Sequence, residues 1–350
     1  MITAQDIVRS PAWYPLEAAA GGTCRLLALD EAAYRAASFL DQRLLQRPGG
    51  GPAQSSCSGE LLTAAAATLV PPAHYLFHIG HVGSTLIARL LGEHPQLFCL
   101  REPALLRTFV PTAETADAAL AAVVGAASAG PSLETVQRLL GRTWRPEQRA
   151  LVKTTSFVSE LAVRMLTAAE APSAILVFAR PLEYLRGILG GPNSRVEARA
   201  LASTRMRRLT ARLSPGGWRP EVRSEGELIA LGWLAEMAAL QAAALTRPAQ
   251  VCWMDFDAFL RAPEHELARL FGALGARIEP QTLHTLVHGP LMTRYAKAPE
   301  HAYDAALRRE VHLLAEAEHG EEIRRGLTWL HRAGLADPLA RAVLERAARP

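Results

Sequence analysis

One short stretch, His74 to Ile87, constrains the fold more than any other part of the chain. Its first part, His74–Ile79, is an apolar run of strand length, and the residues from Ser84 onward have the composition of a helix. A strand, a glycine turn and a helix start, in that order, point several backbone N–H groups and the positive end of the helix dipole at one place. The turn therefore predicts an anion cradle built from Gly80, His81, Val82, Gly83, Ser84 and Thr85.

Four more short apolar runs follow, separated by stretches of helical composition. They are Leu97–Leu100, Ala150–Val152, Ala174–Ala179 and Gln250–Met254. Strands that alternate with helices predict an α/β fold with a parallel β-sheet flanked by helices. Ligands of such sheets bind beyond the carboxyl ends of the strands. Polar residues follow each predicted strand, and we expect them to form one site: His81, Ser84, Glu102, Lys153, Arg180 and Asp255.

Motifs and composition exclude several other classes of protein. The loop lacks the lysine of a Walker A motif, the chain has no GxGxxG, HExxH or GxSxG sequence, and the four cysteines form no CxxC pair, so we expect no metal site. The net charge of +4 suits an anionic small ligand but is too low to indicate nucleic acid. No run of 18 apolar residues, no signal sequence and four scattered cysteines predict a cytoplasmic protein without a membrane partner.

The first 70 residues differ in character from the rest. Residues 32–46 have an amphipathic, helical pattern, and the run Arg47-Pro48-Gly49-Gly50-Gly51-Pro52 interrupts it. We therefore predict an N-terminal extension over residues 1–70, with a flexible joint near 47–59, and an α/β domain over residues 71–350. Within that domain the composition predicts helices over 113–140, 227–245 and 264–274.

Several segments, in this order, resemble the sulfotransferase family. Gly80 to Leu86 is similar to the family's 5′-phosphosulfate loop, Pro-Arg/Lys-Ser-Gly-Thr-Thr-Leu. Three later segments also resemble the family: Glu93-His94-Pro95 with Cys99 to Pro103, Lys153 to Phe157, and Ala174 to Leu185. Tyr295-Ala296-Lys297 resembles it more weakly. The resemblance implies a P-loop-like sulfotransferase architecture. It also implies transfer of a sulfuryl group from 3′-phosphoadenylyl sulfate (PAPS) to a hydroxyl or amine, with a small molecule or peptide as acceptor.

The resemblance also implies roles for individual residues. Glu102 would be the general base, His81 a donor to the leaving group, and Lys153 a cation that neutralises the transferring group. The donor contacts would come from the loop, Arg180 and Ser194. The family has Arg or Lys where this chain has His81, and its 3′-phosphate Arg and Ser correspond here to Ala179 and Gly187. Compensating contacts would come from Arg180, Arg186, Ser194 or the arginine-rich segment 195–223.

Each role has a structural alternative. Ion pairs with Arg101 or Arg107 would occupy Glu102, a pair with Glu183 would occupy Arg180, and Lys153 would be an exposed lysine at a strand end. The loop would be a helix cap without a ligand, His81 would bond only to the loop backbone, His78 would be a core histidine, and Trp218 would hold its own loop in place. For the whole protein the alternatives are a diverged transferase that uses another nucleotide or anionic donor, and a non-catalytic binding module on the same fold.

Overall fold

Two separate sheets organise the structure, a computed structural model that describes residues 2–46, 51–69, 73–110, 130–167, 172–298 and 300–349. Three antiparallel strands form the first sheet, in the order β1-β2-β3. Five parallel strands form the second, in the order β5-β6-β4-β7-β8. The strands are β1 Trp13–Ala19, β2 Thr23–Ala28, β3 Gln54–Ser58, β4 His74–His78, β5 Leu97–Arg101, β6 Arg149–Lys153, β7 Ala174–Phe178 and β8 Val251–Asp255.

Helices cover the parallel sheet, which confirms the predicted α/β class. In the described residues they are α1 Ala4–Arg9, α2 Glu31–Ala36, α3 Gly59–Ala66, α4 Ser84–Gly92, α5 Leu133–Leu140, α6 Ala162–Leu166, α7 Pro181–Leu189, α8 Pro192–Ala200, α9 Ala202–Arg212, α10 Glu225–Thr246, α11 Phe256–Arg261, α12 Pro263–Ala273, α13 Pro280–Val287, α14 Ala305–Ala336 and α15 Pro338–Ala348.

The chain enters the parallel sheet at its centre. β4 pairs with β6 on one side and with β7 on the other, and the chain fills the β5–β6 side before it crosses to β7 and β8. The carboxyl end of β4 is therefore the place where the strand order changes direction, which is where open α/β sheets bind ligands. The loop at 79–83 lies at this point.

Burial on both faces explains why the strands appear as apolar runs. Tyr75, Leu76 and Phe77 of β4 are fully buried, and all five residues of β7 are buried. The apolar helix α10 packs in the same core, where the Trp233 indole donates a hydrogen bond of 2.9 Å to the Ala179 carbonyl and so holds the end of β7. By length and composition α10 is the one helix in the described residues that could cross a membrane, and 72% of its apolar window is buried inside the protein.

The single helix predicted over residues 32–46 is wrong. α2 ends at Ala36, and a 3-10 turn covers Gln42–Gln46. Between them Leu40 bonds to the end of β5: its N–H donates to the Arg101 carbonyl at 2.8 Å, and its own carbonyl accepts from Ala104 at 3.0 Å. These tertiary hydrogen bonds take the backbone groups that a continuous helix would have used.

The N-terminal sheet packs against the parallel-sheet region through Arg142. Its buried guanidinium donates to the carbonyls of Ile7, Ser10 and Trp13, at 2.7 to 3.0 Å. Residues 47–50 of the predicted joint lie outside the described residues, and Gln54–Ser58 is strand β3. Residues 111–129 of the predicted helix 113–140 also lie outside them, while 133–140 is helical. The division into 1–70 and 71–350 stays a prediction.

Candidate functional site

The loop after β4 has the backbone geometry of an anion cradle. Gly80, His81 and Gly83 have φ angles of 87°, 54° and 67°, in the left-handed region. Gly83 is the N-cap of α4, and no side chain among the described residues caps that helix. First-turn N–H groups of α4 therefore face the loop without side-chain partners, at the positive end of the helix dipole.

The Thr85 hydroxyl supplies a second indication of a ligand. Thr85 is 3% exposed, and within the described part of the chain its Oγ1 atom has no hydrogen-bond partner. A buried hydroxyl left without a partner costs about 1–3 kcal/mol. A ligand oxygen at the start of α4 would remove that cost, so the residues present fit an anionic group.

Gly83 is required at its position for two reasons. Its φ angle is one that other residues rarely adopt. A Cβ atom there would also lie 2.0 Å from ring carbons of Phe256, the first residue of α11. The Phe256 ring thus closes one side of the loop, and only a glycine lets the two approach.

His78 holds the other end of the loop. Its Nε2–H donates to the Thr154 carbonyl at 2.9 Å, and its Nδ1 accepts from the Gly80 N–H at 3.0 Å. Burial, and then the nearby charge of Lys153, keep the pKa of His78 well below its usual value of 6.5. His78 is therefore a neutral core histidine that positions the cradle, in agreement with the alternative predicted for it.

A cavity of about 260 Å³ opens over the loop. The loop and the start of α4 form one wall, Ala179 and Gly187 form a second, and residues 292–297 with the first turns of α14 form the third. Its ionisable side chains are His78, His81, Glu183, Arg294, Tyr295, Lys297, Tyr303, Asp304, Arg308 and His312. The cavity thus combines the cradle with cations from a part of the chain more than 200 residues later.

His81 bonds to α8. Its Nδ1 lies 3.1 Å from the Ser194 hydroxyl, and its Nε2 lies 3.2 Å from a carboxylate oxygen of Glu197. The hydrogen bond from His81 is the largest cause that lowers the pKa of Glu197 to about 2. The predicted site residues His81 and Ser194 are therefore brought together, and they join α8 to the loop.

We expect Glu197→Gln to remove an acid-sensitive contribution to stability. The carboxylate has a lower pKa in the folded chain than in the unfolded one, so its contribution is present above pH 4.5 and is lost as the pH falls toward 2. The pair is partly exposed, so we expect only about 0.2–1 kcal/mol. The measurement is the difference in free energy of unfolding between wild type and variant at pH 7 and pH 3. The exposed Glu345→Gln serves as control, and an equal difference at both pH values for Glu197→Gln would contradict the expectation.

Glu102 and Lys153 form a buried ion pair at the same edge of the sheet. The Lys153 ammonium is fully buried and contacts Glu102 Oε1, while Glu102 Oε2 lies 3.5 Å from Arg107 and 3.4 Å from the Thr155 hydroxyl. Burial lowers the pKa of Lys153 to about 8, against the opposing effect of Glu102. Glu102 also has a φ of 52°. Among the described residues that line the cavity, neither member of this pair occurs.

Three of the structural alternatives need correction. His81 bonds to Ser194 and Glu197 and not only to the loop backbone. Lys153 is not an exposed lysine. It is fully buried, because β6 ends inside the protein, and its ammonium forms an ion pair with Glu102. Arg180 does not pair with Glu183 but with Asp255, at 3.0 Å. Glu183 points instead toward Arg186 and His312, at 3.1 and 2.9 Å, because it lies on the side of α7 that faces α14.

The predicted 3′-phosphate positions, Ala179 and Gly187, both line the cavity, whereas Arg180 is not among its described lining residues. A Cβ atom at Gly187 would lie 3.7 Å from Nε2 of His312. One helical turn earlier on α14, Arg308 also lines the cavity and pairs with Asp257 at 2.5 Å. The cationic groups near this wall are therefore on α14 and not at positions 179 and 187.

The arginine-rich segment 195–223 is used mainly in structural ion pairs. Arg195 and Arg199 form ion pairs with Glu225, and Arg208 and Arg212 form ion pairs with Glu160. Arg205 pairs with the buried Glu236 at 3.0 Å. Trp218 packs against Trp329, with ring centroids 5.2 Å apart, and so holds its own loop in place. No residue of 195–223 is among the described residues that line the cavity.

Sequence reasoning missed the α14 wall and Phe256. Arg308 and His312 are four residues apart, which places them on one face of a helix, but nothing in the local sequence indicates which face meets the cavity. The sequence indicates Lys297 only through the weaker family resemblance at Tyr295-Ala296-Lys297. In the structure it lines the cavity and makes no ion pair with any described residue.

No protein-family model matches this sequence, and no curated protein matches it. Several solved structures are similar to it. The sulfotransferase domain from the curacin biosynthetic pathway is 14% identical, with 75% of this chain and 99% of that chain covered and a TM-score of 0.40. A sulfotransferase from Alicyclobacillus acidocaldarius is 16% identical, with 69% and 100% covered and a TM-score of 0.39. A mouse sulfotransferase complexed with PAP is 11% identical, with 82% and 93% covered and a TM-score of 0.41. The activity has to be inferred from the chain's own residues.

Proposed function

We propose that this chain is a cytoplasmic, sulfotransferase-like enzyme that transfers a sulfuryl group from PAPS to a hydroxyl or amine acceptor. The observation that carries the proposal is the cradle: left-handed backbone at Gly80, His81 and Gly83, uncapped N–H groups at the start of α4, and the unpartnered Thr85 hydroxyl. The N–H groups at the start of α4 and the Thr85 hydroxyl are hydrogen-bond donors, and the left-handed backbone of the loop lets them bind one anion together. Together they fit a phosphosulfate better than a neutral ligand.

The chemistry asked of these residues is mainly positioning and charge stabilisation. In the transfer, the bond from sulfur to the donor's bridging phosphate oxygen breaks and a bond from sulfur to the acceptor oxygen or nitrogen forms. The acceptor's proton goes to a base, and the phosphate oxygen keeps the electron pair. The loop from His81 to Thr85 would hold the phosphate end through backbone N–H groups and the Thr85 hydroxyl, while the Gly80 N–H stays bonded to His78 Nδ1. Donors that are already fixed by folding stabilise developing charge without reorganising during the reaction.

For the second phosphate of the donor, α14 offers better contacts than the positions predicted from the sequence. Arg308 and His312 line the cavity beside Gly187, whereas Arg180 is not among its described lining residues. To bind the phosphate, Arg308 would exchange its pair with Asp257, and His312 its pair with Glu183. We therefore propose Arg308 and His312 for this contact, with Ser194 and Lys297 as further donors. His81 would exchange its hydrogen bond to Ser194 or Glu197 for one to the leaving group.

Glu102 stays our proposed general base, with Lys153 as its partner. The buried ammonium of Lys153 holds the Glu102 carboxylate in one orientation at the end of β5. A base that is fixed in this way contributes to catalysis through orientation as well as proton transfer.

One observation favours a second candidate, a transferase on the same scaffold that uses a different anionic donor. Among the described residues that line the cavity, those that follow β7, from Ala179 to Gly187, include no lysine or arginine. A nucleotide without a 3′-phosphate would need none there. Thermal stabilisation by ATP that exceeds stabilisation by adenosine 3′,5′-bisphosphate would favour this candidate, and no stabilisation by any nucleotide would leave a non-catalytic binding module.

The test of the proposal is calorimetric titration with adenosine 3′,5′-bisphosphate of wild type and Thr85→Val. We expect one site in the wild type and an affinity at least about tenfold weaker in the variant, because one hydrogen bond to a charged group is lost. Without ligand the variant should be as stable as wild type or more stable by about 1 kcal/mol, since it removes an unpartnered buried hydroxyl.

Thr135→Val provides the matched control. Thr135 is equally buried, but its hydroxyl contacts Ser132 at 3.0 Å, far along the chain from the loop. We expect this control to lose stability and to keep wild-type affinity. Absence of binding to the wild type would contradict the assignment of PAPS as donor, and equal affinity of wild type and Thr85→Val would contradict the assignment of the cradle.

A further inference from the structure

Away from the cavity, three side chains of two adjacent helices converge. Glu264 lies in the first turn of α12, His284 lies on α13, and His288 is the residue that caps the end of α13. His284 Nδ1 is 2.8 Å and His288 Nε2 is 3.7 Å from the same carboxylate oxygen, Oε1 of Glu264. The three potential ligand atoms lie within 4.8 Å of one another.

From this convergence we propose a binding site for a divalent transition-metal ion, of the Zn²⁺ class, formed by Glu264, His284 and His288. Histidines four residues apart lie on one face of a helix, so both rings can bind one ion. The two rings are in contact, with centroids 4.2 Å apart. Two imidazoles and one carboxylate form a familiar three-ligand set for zinc.

The ligand chemistry selects the class of ion. Imidazole nitrogen suits Zn²⁺, Cu²⁺ and Ni²⁺, whereas Mg²⁺ prefers oxygen ligands in an octahedron. Three protein ligands leave at least one coordination position for water or an outside ligand. All three side chains are exposed, so the small rotations needed to shorten the ligand distances meet little packing resistance.

The position of the site suggests what metal binding would do. The ion would join the start of α12 to the end of α13, and Gly289 and the turn Pro290–Thr293 follow His288 directly. That turn leads into residues 292–297, which line the cavity. Metal binding is therefore expected to stabilise the α12–α13 pair and the segment that leads to the cavity wall, without touching the cradle.

The sequence contains the spacing of His284 and His288, four residues apart, but the third ligand comes from another helix, and the sequence alone does not show that it lies beside them. The two histidines are separated from Glu264 by about one helix and a turn, and the Glu264 side chain meets them only after α12 and α13 pack. The proposal is independent of the proposed sulfuryl transfer.

The experiment is a titration of the tag-free, chelator-treated full chain with Zn²⁺, with Mg²⁺ in parallel. We expect one Zn²⁺ per chain and a rise in melting temperature with Zn²⁺ but not with Mg²⁺. His284→Ala, His288→Ala and Glu264→Gln should each weaken Zn²⁺ binding by more than about tenfold. His265→Ala, an exposed histidine beside Glu264, should leave it unchanged.

A second measurement uses the wild-type chain and so does not depend on whether the variants fold. Cu²⁺ added to the wild-type chain should give an electron paramagnetic resonance spectrum with splitting from two nitrogen ligands. Absence of Zn²⁺ binding, affinity unchanged in His284→Ala, or a copper spectrum without nitrogen splitting would each overturn the proposal.

Discussion

We expect Gly83→Ala to abolish binding of adenosine 3′,5′-bisphosphate and to lower the free energy of unfolding by about 2–5 kcal/mol. Two physical costs add at this position. An alanine with a φ of 67° costs about 1–2 kcal/mol. Its Cβ atom would also lie 2.0 Å from the Phe256 ring, and forcing such a contact costs about 1–3 kcal/mol. The chain can relieve both only by moving the loop, which destroys the cradle.

Another glycine supplies the control. Gly272 lies in the last turn of α12, and a Cβ atom there meets nothing within 4 Å. Gly272→Ala should raise stability by about 0.5–1 kcal/mol and leave ligand affinity unchanged. Adding Phe256→Ala to Gly83→Ala removes the clash but not the unfavourable φ, so it should recover less than the full loss of binding. If Gly83→Ala had the stability and ligand affinity of the wild type, this would contradict the left-handed backbone at Gly83 and its close contact with Phe256.

The second large effect is expected at the buried pair of Glu102 and Lys153. Glu102→Gln leaves the fully buried Lys153 ammonium without its counter-charge, which should cost about 3–5 kcal/mol of stability. The double variant Glu102→Gln/Lys153→Met removes both charges and should return close to wild-type stability, because replacing a whole buried ion pair is often neutral. If Glu102 is the base, sulfuryl transfer stays reduced by about 10²–10⁴-fold in the double variant.

This design separates folding from catalysis. Chemical denaturation gives the free energies of unfolding, and transfer of labelled sulfate to a panel of hydroxyl and amine acceptors gives the activity. An exposed pair on α5, Glu134 and Arg138, serves as the control, and Glu134→Gln should change stability by no more than about 0.5 kcal/mol. A double variant that folds and transfers sulfate at the wild-type rate would remove Glu102 from the mechanism.

The sequence was sufficient to predict the five parallel strands. Buried parallel strands have apolar residues on both faces, so β4 and β7 appear as short apolar runs. The turn after β4 was also predictable, because the spacing of Gly80 and Gly83 before Ser84 reflects backbone angles that the structure contains. That this turn binds an anion stays a prediction. In both cases the residue types that favour the local structure, apolar residues for the strands and glycines for the turn, are also the ones that the folded surroundings need.

Other features depend on contacts that no local pattern contains. Residues 32–46 have a helical pattern, but Leu40 exchanges its helical hydrogen bonds for bonds with Arg101 and Ala104. Arg180 is next to Glu183 in a helical register, yet β8 brings Asp255 within 3.0 Å. His312 faces Gly187 because α14 crosses α7, and the two residues are 125 positions apart in the chain. Such pairings are set by packing between distant elements.

A crystal structure of the chain with adenosine 3′,5′-bisphosphate tests the central claim, that the loop after β4 is an anion site for a nucleotide. We predict that one phosphate accepts hydrogen bonds from the Thr85 hydroxyl and from N–H groups at the start of α4, and that the second lies near Arg308 and His312. A bisphosphate bound elsewhere, with the Thr85 hydroxyl still unpartnered, would contradict the account.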